Sequence, residues 1–284
     1  MDANLASWRK QKNSGITIAV FSVIALVIAF LIYGRFSNMV MTSETSKMLS
    51  DMAIALYTLL LMMLIAITFG IYRIYKAEML RIRLTNDSKS AISIIVKALD
   101  GRKYSTILGI SAIGYGIFYA FITGLLVYRP NEVFSQIYGV SIPSWHIVPC
   151  CGTPGYVPIF LTYITEQFGL LIIPLNLILL LIVSTLVGIN MALAVFAYDN
   201  RPKNANANWF SSFGAITALF TGCPTCAGTF FVTIFGLSSA ASASALALAP
   251  LQSLFIAISI PVLLISPVIV AKNVRNSLYG ACAR

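Results

Sequence analysis

Apolar residues come in long unbroken runs separated by short polar stretches, a pattern that fits neither the strict alternation of a half-buried strand nor the narrow stripe of a surface helix. Six runs are long enough, at roughly 20 residues, to cross a bilayer core as helices. They fall at about residues 16–33, 52–72, 106–128, 170–198, 209–236 and 244–271. The predicted fold class is therefore all-α, a polytopic membrane protein of six transmembrane helices forming a single membrane domain over residues 1–284. The polar intervals supply the rest: a connector at 86–101 and a long loop at 129–169.

Composition agrees with the pattern. Of 284 residues, 58% are hydrophobic and 10% charged, and the mean hydropathy is +0.87. A soluble domain carries about 25% charged residues, so an ordinary soluble enzyme is excluded. Disorder is excluded too, because disordered chains combine low hydrophobicity with high net charge. The formal charge of +10 could suggest nucleic acid, but the basic residues are spread thinly between apolar runs and make no contiguous face.

Their distribution is a topology signal instead. Of the 19 basic residues, only Arg35, Lys47 and Arg129 fall on one side of the six-span arrangement, and the rest gather on the other. By the positive-inside rule both termini are cytoplasmic and the chain sits in the plasma membrane. The first run follows a basic segment as a signal peptide would, yet it continues into Tyr33-Gly34-Arg35-Phe36 without a small-x-small cleavage site. It reads as a retained first span.

Within the connector, Asn86-Asp87-Ser88 offers N-cap chemistry, and Ile92, Ile95, Val96 and Leu99 recur at helical spacing before Gly101. A short amphipathic helix is expected there, either lying on the membrane face or bracing two spans. In the third span Ala112, Gly116, Ala120 and Gly124 make a ladder of small residues, which admits a neighbouring backbone within the bundle or at an oligomer contact. Pro250, Pro261 and Pro267 favour kinks in the last span.

Proton-coupled membrane transporters place carboxylates or histidines inside their spans, and here these are scarce. Glu166 alone among the nine acids is assigned to a largely apolar stretch, and the single histidine, His146, falls in the 129–169 loop. There is no His-Glu-x-x-His motif and no convincing pair of intramembrane aspartates, which disfavours intramembrane proteolysis.

What remains is sulfur. Cys223-Pro224-Thr225-Cys226 lies in the fifth run, and a spacing of three puts both sulfurs on one side of a helical turn, within reach of a disulfide or of one shared ion. Gly222 and Pro224 would break that run and set Cys223 near the N-cap of a half-helix. The helix amides favour a thiolate there, whereas apolar surroundings oppose it.

Cys150 and Cys151 are adjacent, within Trp145-His146-Ile147-Val148-Pro149-Cys150-Cys151-Gly152-Thr153-Pro154. They can bond to each other only through a strained eight-membered ring, so exchange with another thiol or a shared ligand is the more natural chemistry. The short apolar run 159–165 that follows suits a re-entrant segment. Met39 and Met41 stand in the first loop with thioethers suited to Cu(I). The bland alternatives are small apolar packing for the cysteines, a structural disulfide for the loop pair, and ordinary helix-end positions for the methionines. Cys282 is read as incidental.

These paired motifs on six spans resemble uncharacterised multi-pass membrane proteins of ammonia-oxidising and related archaea. The run Pro149-Cys150-Cys151-Gly152-Thr153-Pro154 with Pro158 is also similar to the Cys motif of the six-span thiol-electron carriers of cytochrome c biogenesis. That likeness implies that Cys223 or Cys226 stands for the second redox cysteine. The departures are that the cysteines lie in the second half of this chain and that each is doubled. The vicinal pair is similar, over a few residues, to mercury-transport proteins.

Three functional readings stay open. One is thiol-disulfide electron transfer through Cys223, Cys226, Cys150 and Cys151. Another is binding or transport of a soft metal, copper as Cu(I), by the same four sulfurs with His146, Met39 and Met41 at the entrance. The third is a non-catalytic subunit of a larger membrane complex. The partners implied are the lipid bilayer and either other membrane proteins or further copies of the chain, with no nucleic acid.

Overall fold

The computed structural model describes residues 2–37, 43–85, 90–149, 155–200, 261 and 264–272. It is mostly helical, and among the described residues four helices are long and apolar enough to cross a membrane. The chain divides into two compact units, Met1–Thr85 with Thr123–Leu179, and Asn86–Ile122 with Leu180–Arg284.

The first unit is built on a hairpin of two long antiparallel helices, α1 (Asp2–Phe36) and α2 (Ser43–Thr85). They run past the expected spans 16–33 and 52–72 at both ends, and over 73–85 the flanking Arg, Lys, Glu, Met and Leu residues are good helix formers. The helices touch backbone to backbone at Gly15 and Gly70. A Cβ on Gly15 would lie 2.8 Å from the Gly70 carbonyl oxygen, and one on Gly70 would lie 2.9 Å from that of Gly15. Further along, Tyr33, Leu49, Ala53 and Leu56 form a buried cluster. The outward side is apolar as well: Phe21 is 67% and Ile65 69% exposed. In water that surface would be an aggregation liability, whereas in lipid it is the solvated face.

The segment expected as loop 129–169 instead contributes to a four-stranded sheet. Strands β1 (Leu126–Tyr128), β2 (Ser144–Val148), β3 (Ile159–Tyr163) and β4 (Phe168–Ile172) pair antiparallel in the order β1-β4-β3-β2. Register runs Val127 to Gly169, Thr162 to Leu170 and Ile147 to Phe160. The run 159–165, expected to be re-entrant, is β3 and its turn. Isoleucine, phenylalanine and tyrosine between prolines suit a pleated strand as well as a short helix. A short helix, α5 (Phe134–Tyr138), lies between β1 and β2 in the chain.

The same sheet shortens two spans. The third, expected over 106–128, is α4 (Arg102–Ile122). It stops at Gly124, whose φ of +71° lies in the left-handed region that glycine tolerates, and the remaining apolar residues become β1. The fourth, expected over 170–198, is α6 (Pro174–Asp199). Pro174, with no N–H to lose, is preorganised for a first helical turn, and residues 170–172 belong to β4.

In the second unit α4 packs on the part of α6 beyond Leu179. A Cβ on Gly188 would lie 2.7 Å from the Leu108 carbonyl oxygen and 3.0 Å from the Ala112 Cβ, and Gly116 faces Ser184. The small-residue ladder thus packs helix on helix at Ala112 and Gly116, whereas Gly124 lies past the helix end. Val183, Leu186 and Val187 are buried beside Tyr115.

The connector is α3 (Ala91–Asp100), with Ser90 at its N-cap; the expected cap residues 86–88 lie outside the described residues. Its Ile94 and Ile95 pack with Phe196, Ala197, Val270 and Ala271, so it braces the unit, while Ile92 is exposed. Pro267 falls within the helical stretch 264–272. The fifth expected span, most of the sixth, and Pro250 lie outside the described residues.

Candidate functional site

All five cysteines, Cys150, Cys151, Cys223, Cys226 and Cys282, lie outside the described residues, as do Met39 and Met41. The first unit does describe what flanks the vicinal pair. Strands β2 and β3 form a hairpin whose last pairing is Val148 with Ile159, so residues 149–158 are its connection.

Both ends of that connection are held by tyrosines of the α1–α2 hairpin. Tyr33, in the last turn of α1, donates its hydroxyl to the Pro149 carbonyl at 2.6 Å. Tyr57 on α2 reaches the carbonyl of Pro158 at 2.8 Å and that of Ile172 at 2.7 Å, and its one hydroxyl hydrogen serves one of them at a time. Val157 is 2% exposed, within the cluster of Tyr33, Leu49, Ala53 and Leu56. The Gly155 carbonyl accepts from the Leu175 N–H at 3.0 Å, tying the connection to the start of α6. Each hydrogen bond contributes about 1 kcal/mol net and burial of Val157 roughly 2 kcal/mol. The residues bordering Cys150 and Cys151 are therefore fixed at one end of a helical hairpin.

The two faces of the sheet differ. Trp145 and Ile147 on β2, with Phe160 on β3, face α2 across a cavity of about 430 Å³ whose accessible lining is apolar. Trp145 stacks on Phe160 at 5.9 Å between ring centroids. Strand alternation puts His146 on the opposite face, 6.4 Å from the Tyr163 ring, where Tyr163 also stacks on Tyr138 and meets Phe134. Burial and the neighbouring Tyr138 push the Tyr163 phenol above its ordinary pKa. Among the described residues, no group of three histidine, cysteine or acidic side chains could hold a metal ion, and His146 sits in an aromatic setting.

Glu166, in the largely apolar run 158–170 before the expected fourth span, falls between two strands. It is exposed at the β3–β4 turn, where its carboxylate accepts from the Ser135 N–H at 3.1 Å and the Ser135 hydroxyl at 2.8 Å, orienting α5. Arg129 pairs with Glu132 at 2.7 Å, and that carboxylate raises the guanidinium further above its ordinary pKa.

Among the described residues, the buried acid is Glu78, near the other end of the hairpin. Its side chain is 3% exposed, 2.8 Å from Arg81 and 3.8 Å from Lys12, and both cations lie over the Trp8 ring. In sequence Glu78 stands among Lys76, Arg81 and Arg83 and looks like part of a solvated charged face. In sequence Tyr33 and Tyr57 look like ordinary span residues, although a hydroxyl within an apolar span must find a polar partner.

Compared with known proteins, the chain matches no family model, no curated sequence and no solved structure.

Proposed function

We propose that this is a membrane thiol-disulfide exchange protein of the plasma membrane, with six spans and both termini cytoplasmic. In this reading the sheet lies on the outer side, and electrons pass between the Cys223–Cys226 pair and the Cys150–Cys151 pair. The observation that carries it is the double anchoring of the loop that bears Cys150 and Cys151, at Pro149 by Tyr33 and at Pro158 by Tyr57. A structural disulfide would itself constrain its loop, whereas exchange chemistry needs a sulfur presented from a fixed frame. The likeness to cytochrome c biogenesis carriers supports the same reading.

The chemistry balances within sulfur. A thiolate of the Cys223–Cys226 pair attacks the Cys150–Cys151 disulfide, whose strained eight-membered ring makes it the oxidising partner, forming a mixed disulfide and releasing one thiol. The second cysteine of the attacking pair resolves it, closing a new disulfide and releasing the second thiol. Two electrons move, and the two protons lost by the oxidised dithiol end on the released thiols.

Differential alkylation with mass spectrometry on anaerobically extracted full-length protein tests this. A reducible link between the 150/151 and 223/226 pairs is the expected result. Thiols protected until a Cu(I) chelator is added would replace it with soft-metal handling, and five freely reactive, uncoupled thiols would replace it with a structural subunit.

A further inference from the structure

The two edges of the sheet are unlike. At one, β1 is only three residues long and runs into Arg129 and Pro130; short length, charge and proline are the usual means of closing an edge. At the other, β2 pairs with β3 over all five residues in unbroken register. It carries no charged side chain, and proline stands only outside it, at Pro143 and Pro149. Among the described residues no strand lies beyond β2, and Trp145, His146 and Val148 are exposed. Alternate residues of an antiparallel strand turn both N–H and C=O away from their partner strand. The outer side of β2 is therefore a row of backbone donors and acceptors at peptide spacing, which another extended backbone is built to satisfy.

The surroundings say what kind of chain fits. Side chains of an added strand alternate between the two sheet faces. On one face they lie beside Trp145 and Ile147, at the recess of about 430 Å³ that Ile54, Leu61 and Phe160 also line. Trp145 is itself 59% exposed, so the recess opens towards the edge, and apolar or aromatic cross-strand neighbours are favoured there. A second copy of β2 does not fit. Antiparallel pairing of two identical edges needs a two-fold axis along the sheet normal, and that normal points at α2, which Trp145, Ile147 and Phe160 face. Copies in one bilayer are related instead by an axis along the membrane normal, close to the direction of a spanning helix such as α2.

We infer that β2 docks an extended segment of a different protein as an added strand, with apolar side chains at alternate positions entering the recess. The docking does not rest on the thiol reading. Because β2 ends two residues before Cys150, it brings a partner to the loop that carries the vicinal pair.

The test uses the full-length protein in lipid nanodiscs and a capped, cysteine-free peptide that alternates threonine with valine and phenylalanine. Deuterium uptake read by mass spectrometry should slow over residues 144–148 when the peptide is added and stay unchanged over 126–128. Two further peptides of the same sequence carry N-methyl groups, one on each alternate set of amides. Methylating the set that faces β2 should weaken binding roughly 25-fold, about fivefold for each of two lost hydrogen bonds, whereas methylating the other set should leave binding unchanged. Alanine in place of the phenylalanine should weaken it about fivefold, the upper end for a cross-strand pair. No slowing with any peptide, or equal effects of the two methylated sets, would overturn strand addition. Equal binding of the alanine peptide would overturn the recess as its pocket. Slowing over 144–148 without peptide, in discs holding two copies but not in discs holding one, would overturn the different partner in favour of a second copy.

Discussion

Two helix pairs, α1–α2 in the first unit and α4–α6 in the second, are both built around glycine, but differently. At α1–α2 glycine faces glycine: each removes the obstacle the other would meet, so both backbones approach from bare positions. At α4–α6 one glycine, Gly188, receives the Leu108 carbonyl and Ala112 methyl. Their charge pairs differ as well. Near the Gly15–Gly70 crossing Glu78 is buried and shared by two cations beneath an indole. Near the end of α6, Asp199 takes Lys103 at 2.6 Å and the Tyr104 hydroxyl at 3.0 Å in an exposed setting. The comparison teaches that the hairpin is locked at both levels, backbone and buried charge, whereas the second pair joins close packing to an exposed ion pair that contributes little.

The sharpest way to break the comparison is steric. Gly15→Leu and Gly188→Leu should each prevent recovery of monodisperse protein in mild detergent, since backbone atoms under 3 Å from a new Cβ cannot step aside. Next in size, Glu78→Ala should destabilise the chain by about 3 kcal/mol, the low end for breaking a buried pair, because Lys12 and Arg81 keep about a third of their exposure. Thermal unfolding in detergent reads this, and a change no larger than that of a surface variant would show the carboxylate to be incidental. Tyr57→Phe should cost about 1 kcal/mol while making protease cleavage and alkylation within residues 149–158 faster. Unchanged loop reactivity would remove the anchoring that supports the proposed function. The smallest effect is expected for Asp199→Asn, with no resolvable change in Tm, which would confirm that the exposed pair orients side chains without bearing on stability.

Much of this was legible in sequence where the signal was periodic or extreme. Apolar run length marked the four long helices, and small residues four apart marked Ala112 and Gly116 as a packing seam. The sheet was hidden because Leu126–Tyr128 and Phe168–Ile172 abut longer apolar runs, and hydropathy alone reads strand and span as one segment. Gly124 and Pro174 were the punctuation that separates them. Gly15 and Gly70 lie far apart in sequence and carry no pattern of their own until the hairpin closes. At the candidate site, the pairing of the cysteines is visible in the sequence, and the thiol chemistry proposed for them starts from that pairing. The tyrosines that frame Cys150 and Cys151 are not, since the carbonyls they hold come from residues more than a hundred positions away.

The tethering of Pro149 has a kinetic meaning. The Tyr33 hydroxyl holds the Pro149 carbonyl at 2.6 Å, so the end of β2 moves with α1. Opening of that end must first break this bond, worth about 1 kcal/mol net, and is therefore rarer by about fivefold than in an untethered hairpin.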